Sequence, residues 1–217
     1  MPLALFDLDN TLLAGDSDFT WGEFIVAKGL VDKASYAAAN LKFYEDYQAG
    51  TLDAYEYQRF SMAPLKGRTL SEMDALHKEF MADWIQPMML EAAKELLDKH
   101  RIEGDRLVVI TATNRFITQP IVQALGVEEL LCSETGVENG VYTGELVGIP
   151  CMGEGKVTKI TEWMAENNES LEGASFYSDS HNDLPLLKQV DKPVAVDPDE
   201  KLRLYAEMQG WPIISLR

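Results

Sequence analysis

The stretch that most constrains the fold lies at the start of the chain, where a short apolar run ends at two acids. Residues 3–6 are apolar, and Asp7 and Asp9 follow with one residue between them. This pattern is typical of a buried strand that ends at the ligand-binding edge of an open α/β sheet. Two carboxylates so close together repel each other, which favours a bound cation or a shared proton. An isolated Asp-x-Asp sequence can also solvate a turn, so its meaning depends on the rest of the chain.

The composition narrows the range of partners. The 217 residues are 46% apolar, which is enough for one large domain or for a domain that carries an insertion. Acidic residues number 36 and basic residues 19, so the net charge is −17. Because this charge repels polyanions, we expect no nucleic-acid partner and no membrane surface, whereas a small phosphorylated metabolite stays possible.

The sequence pattern also bears on location and on the cysteines. No stretch comes near the ~18 consecutive apolar residues of a membrane helix, and the first residues show no basic or apolar leader. We therefore expect a soluble, cytoplasmic protein. Cys132 and Cys151 are too few for a disulfide framework or a zinc cluster, so we expect reduced thiols with a structural role.

Residues 15–86 have the pattern of consecutive helices. Apolar and aromatic residues such as Trp21 and Tyr44 recur at helical spacing, and we expect them to form the core of this segment. Glycines and Pro64 divide it into four predicted helices, the last of which we expect to open with a capping box at Ser71. An insertion of this length is far longer than an ordinary strand-to-helix loop. We therefore predict a helical cap domain over the two acids.

After residue 86 the pattern alternates between strands and helices. Short apolar runs predict buried strands at 107–111, 130–133, 174–178 and 193–196. The sequence Asn139-Gly140 predicts a small antiparallel hairpin, or flap, over residues 137–147. The whole pattern indicates an α/β fold with a doubly wound parallel sheet, built from residues 1–14 and 87–217.

Three further stretches place polar side chains where strands end or helices begin. Thr111 ends the second strand before a helix, which is a favourable position for a phosphate, although a simple helix cap is the alternative. Lys156 follows a glycine turn at another helix start, where a solvated surface charge is the alternative. Asp179 and Asp183 follow the strand predicted at 174–178, and their hard oxygen ligands suit Mg²⁺ better than zinc.

In this order the motifs resemble the haloacid dehalogenase (HAD) superfamily of phosphatases. They are Asp-x-Asp-x-Thr, a Thr that closes the second strand, an isolated Lys, and Asp-x-x-x-Asp, and the resemblance spans essentially the whole chain. It is closest to the phosphoserine-phosphatase-like branch, which carries a helical cap after the first motif. The resemblance implies a Rossmann-like core and a Mg²⁺-dependent phosphomonoesterase.

The resemblance also implies a role for each residue. Asp7 would be the nucleophile that forms an aspartyl-phosphate, and Asp9 would be the general acid and base. The implied metal ligands are Asp7, the backbone carbonyl of Asp9, Asp179 and, directly or through water, Asp183. The implied phosphate-binding residues are Thr111, Ala112, Lys156 and Asn182.

The same branch suggests how the rest of a substrate would bind. Asp16 lies seven residues after Asp9, where phosphoserine phosphatases carry an acid for the substrate ammonium. Arg59 could correspond to their carboxylate-binding arginine. The second motif, however, is Thr-Ala-Thr-Asn at 111–114 instead of their Ser-Gly-Gly. If Arg59 only covers apolar surface, no carboxylate is required and an amino-alcohol phosphate fits as well.

Residues 110–116 and 178–185 resemble those of a bacterial group within this branch that includes histidinol-phosphate phosphatases. We therefore expect histidinol phosphate as the substrate, with phosphoserine as the alternative. A non-catalytic module that binds a phosphometabolite is an alternative of another class, and a phosphotransferase differs only in the acceptor. A dehalogenase is disfavoured, since a halide leaving group needs no proton from Asp9. The sequence leaves open whether the chain is a monomer or a homodimer.

Overall fold

The computed structural model describes all residues from Met1 to Arg217 and contains seven strands and nine α-helices. The strands are β1 (Leu3–Phe6), β2 (Arg106–Asn114), β3 (Glu129–Glu138), β4 (Val141–Val147), β5 (Ser175–Ser178), β6 (Lys192–Val196) and β7 (Ile213–Ile214). The helices are α1 (Ser17–Ala27), α2 (Lys33–Ala49), α3 (Ala54–Met62), α4 (Leu70–Phe80), α5 (Glu91–Glu103), α6 (Arg115–Ala124), α7 (Glu154–Asn167), α8 (Leu184–Leu187) and α9 (Glu200–Gln209).

The strands form a single sheet in the order β4-β3-β2-β1-β5-β6-β7. All neighbours are parallel except β3 and β4, which are antiparallel. The mostly parallel α/β sheet that the sequence predicts is therefore confirmed. The chain builds outward from β1 to one side through β2 and β3, and then crosses to the other side at β5. This reversal next to β1 opens a crevice at the carboxyl ends of the strands, where ligands bind in such sheets.

The central strand is buried on both faces, which explains its continuous apolar pattern. Alternate residues of a strand point to opposite faces, and here Leu3 and Leu5 belong to one hydrophobic cluster while Ala4 and Phe6 belong to the other. None of these four side chains is exposed. A strand covered on both faces is typical of a parallel sheet layered between helices.

The four helices α1 to α4 occupy the segment 15–86, and part of it shares a core with the sheet. Trp21 of α1 packs against Phe80 of α4, with ring centroids 5.1 Å apart, and against Phe116 of α6, at 5.0 Å. All three lie in the same cluster as Phe6 of β1. The division into a cap domain at 15–86 and a core domain at 1–14 and 87–217 stays a prediction, but the apolar cluster is continuous across that boundary.

The outer helices α2 and α3 pack differently. The only buried residue of α2 is Asn40, and the two helices meet through aromatic pairs such as Tyr36 with Phe60, whose ring centroids are 4.6 Å apart. A further pair, Phe43 and Tyr57, lies at 5.4 Å. Aromatic pairs therefore join α2 to α3, while α2 also contacts α1 through the Asn40 amide, which donates to the carbonyl of Phe19 at 3.1 Å, and Tyr36 packs against the main cluster.

One local detail differs from the sequence-based prediction, and another agrees with it. The capping box of α4 lies at Thr69 and Glu72, not at Ser71, because Glu72 can return a hydrogen bond to the backbone N–H of the cap only from the third helical position. The predicted hairpin is present, with Asn139 and Gly140 both at positive φ. Strand β4 of this hairpin also contacts the helical segment, since the backbone N–H of Tyr142 donates to the carbonyl of Arg68 at 2.9 Å.

Two further expectations concern the cysteines and the membrane. Cys132 and Cys151 are free and buried, and burial raises the pKa of the Cys132 thiol to about 12. Both thiols therefore stay protonated, in keeping with a structural role. None of the helices combines the length and the apolar character that a membrane crossing requires.

The packing of Trp21 predicts a large effect on stability. Trp21→Ala should lower the free energy of unfolding by about 3–5 kcal/mol, because removing the indole ring leaves an empty space among the packed helices α1, α4 and α6. Urea denaturation measures this change. The matched control is Tyr55→Ala, an exposed aromatic on α3, which should change stability by less than about 0.5 kcal/mol. Equal losses in the two variants would contradict a shared core.

Candidate active site

A buried lysine connects the ends of two central strands. Lys156 is only 3% exposed, and its Nζ donates to Asp7 Oδ1 and to Asp183 Oδ2, each at 2.7 Å. Ser178 Oγ also donates to Asp183 Oδ2 at 2.7 Å. Burial lowers the pKa of Lys156, but the two carboxylates outweigh it and raise the pKa above its usual value. The ammonium is therefore charged, and Lys156 is not a solvated surface residue.

The backbone before α7 explains how Lys156 reaches this position. A Cβ on Gly155 would lie 2.0 Å from the carbonyl oxygen of Pro150, so only glycine allows the two backbones to approach this closely. Gly153, just before the helix, has a φ of 54°. The glycine turn thus starts α7 directly beside the carboxyl end of β1.

Asp179 adds a third carboxylate to this group. Its Oδ1 accepts from Thr11 Oγ1 at 3.2 Å, and the Thr11 hydroxyl accepts from the Asp179 backbone N–H at 3.1 Å. Burial, with repulsion by Asp7 and Asp183, raises the pKa of Asp179 well above its usual value. Burial also raises the pKa of Asp7, and Lys156 offsets this only in part.

The charges around Lys156 show whether a metal ion would fit this site. Three carboxylates share one ammonium, so a divalent cation would neutralise the negative charge that Lys156 leaves uncompensated. The available donors are carboxylate and carbonyl oxygens, which suit Mg²⁺. Asp183 already accepts two hydrogen bonds at Oδ2, so only its other oxygen is available to a metal or to a water on the metal.

The group of possible ligands whose atoms lie closest together is elsewhere, at His100, Glu103 and Asp105. There the two ring nitrogens of His100 contact Asp105 Oδ2 at 2.7 Å and the Tyr177 hydroxyl at 2.9 Å. Both nitrogens are therefore engaged within the protein, and we assign this group a structural role.

Asp9 is held by two different elements. Its Oδ1 accepts from the backbone N–H of Ser17, the first residue of α1, at 2.6 Å, and its Oδ2 accepts from Thr113 Oγ1 at 2.8 Å. Burial, with repulsion by Asp16, raises the pKa of Asp9 to about 7. A carboxyl group with such a pKa can donate and accept a proton near neutral pH.

Asp16 has two roles in the structure. It is the N-cap of α1, and its Oδ1 accepts from the backbone N–H groups of Asp18 and Phe19 at 2.9 and 2.8 Å. It also lines the cavity above Asp7 and Asp9. One of its oxygens is thus used for capping while the residue remains part of the cavity wall.

The predicted phosphate-binding residues all border the same cavity. Thr111, Ala112, Lys156 and Asn182 lie in its wall together with Asp7 and Asp9. The hydroxyl of Thr111 accepts from the backbone N–H of Thr113 at 3.2 Å. The side-chain amide of Asn182 instead donates to the carbonyl of Tyr47 at 3.2 Å, so it connects the end of α2 to the loop after β5.

Arg59 does not line the cavity, in contrast to its expected contact with a substrate carboxylate. Its side chain is 61% exposed and lies 3.9 Å from Glu56 on the same helix. The preceding residue, Gln58, lines the cavity instead. The face of α3 that lines the cavity carries Ala54, Tyr57 and Gln58. Because each helix residue is rotated by about 100° from the last, Arg59 lies outside this face.

The cavity wall combines acids with aromatic rings. Its acids are Asp7, Asp9, Asp16, Asp18 and Asp183, and its only basic residue is Lys156. Its aromatic residues are Phe19, Phe43, Tyr44, Tyr47 and Tyr57. Tyr44, which we expected in the core of the helical segment, packs against Phe19 of α1 with ring centroids 5.1 Å apart and also borders the cavity. With one ammonium and five carboxylates in its wall, the cavity favours positive charge over most of its surface.

Several of these residues were not identified from the sequence. Thr113, Asp18 and Gln58 each contact another residue of the site or line the cavity. Thr113 follows Thr111 by two residues on the same strand, so the shared face could have indicated it. Asp18 and Gln58 have no comparable signal, since acids are common in the first turn of a helix.

A family model for haloacid dehalogenase-like hydrolases matches residues 4–188 of this chain. The chain belongs to this family. It is thus a hydrolase, and the predicted superfamily, fold and enzyme class are confirmed.

Curated relatives match nearly the whole length of this HAD-family chain. A histidinol-phosphatase of Neisseria meningitidis serogroup C is 43% identical over 220 residues, which cover 99% of this chain and 99% of that protein. A phosphoserine phosphatase of Mycobacterium tuberculosis is 31% identical over 217 residues, which cover 99% of this chain and 70% of that protein. The relatives are thus named as phosphatases, in agreement with the predicted enzyme class.

Solved structures show the same fold. A Bordetella pertussis protein of unknown function superposes with a TM-score of 0.93 at 39% identity, covering 100% of this chain and 99% of that one. A phosphoserine phosphatase, described as a phospho-aspartyl intermediate analogue, superposes with a TM-score of 0.71 at 18% identity and covers 100% and 93%. At that identity the second likeness concerns the fold alone.

The position of Lys156 predicts its effect on stability. Lys156→Met leaves Asp7 and Asp183 buried without their cation, which should lower the free energy of unfolding by about 3–5 kcal/mol in metal-free buffer. Lys159→Met, on the same helix α7, is the control and should cost less than about 1 kcal/mol. Urea denaturation compares the two. A loss as small as that of the control would show that the carboxylates do not depend on this ammonium.

Proposed function

We propose that this chain is a Mg²⁺-dependent phosphomonoesterase that forms an aspartyl-phosphate on Asp7, and that its substrate is histidinol phosphate. The observation that supports the chemistry is the arrangement around two acids with different partners. Asp7 contacts a buried ammonium, whereas Asp9 contacts only neutral hydrogen-bond donors. The first environment suits an anionic nucleophile and the second suits a proton donor.

The proposed reaction has two displacements. Lys156 holds Asp7 Oδ1, so Oδ2 attacks phosphorus while the ester oxygen leaves and takes the proton of Asp9. Asp9, now ionised, accepts a proton from a water that attacks the aspartyl-phosphate. The bond between phosphorus and Oδ2 then breaks, which releases inorganic phosphate and restores both carboxyl groups to their starting states.

The remaining site residues would bind the phosphoryl group. The Thr111 hydroxyl, the backbone at Ala112 and the Lys156 ammonium border the cavity beside Asp7, and they would stabilise charge on the phosphoryl oxygens. Asn182 would hold the end of α2 in place through Tyr47. It could contact phosphate only by giving up that hydrogen bond.

Mg²⁺, when bound, would supply the positive charge that allows an anionic substrate to approach Asp7. We propose Asp7, the backbone carbonyl of Asp9 and Asp179 as its ligands, with Asp183 contributing directly or through water. Thr11 would orient Asp179, since its hydroxyl both donates to and accepts from that residue.

The charge of the cavity supports an amino-alcohol phosphate as the substrate. Phosphoserine carries a carboxylate, but the only base in the wall is Lys156, which serves Asp7 and Asp183. Arg59 is exposed on the far side of α3. Histidinol phosphate has an ammonium group and no carboxylate, and Asp16 would bind that ammonium. The Neisseria relative named histidinol-phosphatase supports the same choice.

The substrate comparison below also tests two alternatives to this proposal. The Mycobacterium relative named phosphoserine phosphatase favours phosphoserine. A non-catalytic phosphometabolite-binding module has the same fold, but Asp7 and Asp9 are both present and both held in place, which favours an enzyme.

A substrate comparison tests the proposal. With Mg²⁺ present, kcat/KM for histidinol phosphate should exceed that for phosphoserine by at least about 100-fold, because the carboxylate of phosphoserine would be left unpaired among acids. Release of inorganic phosphate is the measurement, with p-nitrophenyl phosphate as a generic ester. A preference for phosphoserine would overturn the substrate, and failure to hydrolyse any of the three would favour the non-catalytic alternative.

Asparagine substitutions separate the roles of the acids. Asp7→Asn should lower kcat by at least roughly 10⁴-fold, since it removes the nucleophile, while its thermal unfolding stays cooperative. Asp179→Asn should weaken Mg²⁺ binding in calorimetry more than Asp9→Asn does, because Asp9 offers the metal only its backbone carbonyl. Asp53→Asn is the control, since this exposed cap of α3 can be replaced by asparagine. Substantial turnover by Asp7→Asn, or full Mg²⁺ affinity in both other variants, would contradict these roles.

A further inference from the structure

Two buried acceptor atoms in the cavity wall have no hydrogen-bond donor. They are Oδ2 of Asp18 and Oε1 of Gln58, and both residues line the cavity while being only 5% and 2% exposed. An unpaired buried acceptor costs about 1–3 kcal/mol, more if it is charged. Folded proteins rarely leave such groups unpaired without a functional reason. Two of them beside one cavity indicate that the donors come from a ligand.

Asp18 is held so that only one of its oxygens makes a hydrogen bond, although the Tyr57 hydroxyl lies near the carboxylate. Its Oδ1 accepts from Ser61 Oγ at 2.8 Å, and that hydroxyl in turn accepts from Asn114 Nδ2 at 3.1 Å. Asn114 is the N-cap of α6. The carboxylate is therefore fixed through a chain of hydrogen bonds that ends on the sheet side of the cavity, and its second oxygen cannot turn away to find a partner.

The amide of Gln58 is fixed in the same sense. Its Nε2 donates to the carbonyl oxygen of Ala112 at 3.0 Å. Exchanging the two ends of the amide would place Oε1 against that carbonyl oxygen, so the orientation follows from the contact. Oε1 must then be the atom that lacks a donor.

We propose that Asp18 and Gln58 form a nitrogen subsite that binds the N–H groups of a protonated, planar ring on the substrate, such as an imidazolium. This inference rests on the proposed function and deepens it, since the ammonium is assigned to Asp16 and the ring to this subsite. The ligand must carry N–H donors, because both unpaired atoms are acceptors. It should be cationic, because no basic side chain in the cavity faces Asp18.

The aromatic residues nearby support a ring. Tyr57 and Phe43 line the same cavity, with their ring centroids 5.4 Å apart. Burial raises the pKa of Tyr57 well above its usual value, and the nearby Asp18 and Asp16 carboxylates add to this effect. The flat apolar faces beside a carboxylate suit a planar cation better than a flexible ammonium chain.

A role in helix stability alone does not account for Asp18. Acids in the first turn of a helix stabilise it through the helix dipole, but they do so at the surface without being buried. Burial raises the pKa of Asp18 to about 6, and the Ser61 and Tyr57 hydroxyls offset this only in part. The residue therefore makes the unliganded protein less stable at neutral pH, as expected for a group that serves ligand binding.

Binding of histidinol tests the subsite without catalysis. Histidinol has the ammonium and the imidazole but no phosphoryl group, so calorimetry can follow it in the presence of the intact Asp7. Asp18→Asn should weaken its binding by about 10- to 100-fold, since a charge-assisted hydrogen bond is lost. Asp53→Asn, the same substitution at an exposed cap, should bind histidinol like the wild type.

A second ligand and a second variant separate the ring from other effects. The amino alcohol 2-aminopropan-1-ol lacks the ring, and its weaker binding should be the same in Asp18→Asn and in the wild type. Gln58→Leu removes the other acceptor and should weaken histidinol binding in the same direction. The unfolding temperature of Asp18→Asn should equal or exceed that of the wild type, because a buried charge is removed while the contact with Ser61 is kept.

The outcomes distinguish this inference from the proposed function. Histidinol binding that is absent in the wild type, or as tight in Asp18→Asn as in the wild type, would overturn the subsite. A lowered unfolding temperature together with equal losses for both ligands would also overturn it, since Asp18 would then be structural. If histidinol phosphate is not hydrolysed but Asp18→Asn still weakens histidinol selectively, the subsite stands and the proposed substrate reaction is wrong.

Discussion

The arrangement of the whole site depends on one buried ammonium between two carboxylates. Lys156 contacts Asp7 at the end of β1 and Asp183 after β5, so it joins three segments that are far apart in sequence. A buried ion is tolerated only when partners satisfy it, and here the partners are the proposed nucleophile Asp7 and the proposed metal-binding residue Asp183. The same contact that stabilises the crevice of the sheet therefore orients one oxygen of Asp7 and leaves the other available.

The helical segment contributes to this centre as well as covering it. The first turn of α1 donates backbone N–H groups to Asp9 and Asp16, while the body of the helix packs into the hydrophobic cluster of the sheet through Trp21. The position of the proposed proton donor is thus coupled to core packing. The outer helices α2 and α3 have few buried residues and supply the aromatic and amide groups of the cavity, where relatives with different substrates can differ without disturbing the chemistry.

Much of the site could be predicted because its residues follow strands. Asp7, Asp9, Thr111 and Asp179 lie where apolar runs end, and parallel strands bring those ends to one edge. The helical residues could not be predicted in the same way. Arg59 and Gln58 are neighbours in sequence, and only the rotation of α3 decides that the amide lines the cavity. Tyr44 has the spacing of a core residue and packs against Phe19 of α1, yet it also borders the cavity.

The sequence by itself determined the order of strands and helices, the family, and the acids and lysine of the proposed reaction centre, because hydrophobic periodicity and local turns are properties of neighbouring residues. Only the tertiary structure decided which of these groups are paired and which are not. That Asp18 and Gln58 each keep one acceptor without a donor depends on contacts with Ser61 and Ala112, more than forty residues away along the chain. Hydrogen-bond satisfaction is a property of three-dimensional neighbours, and no pattern along the chain records it.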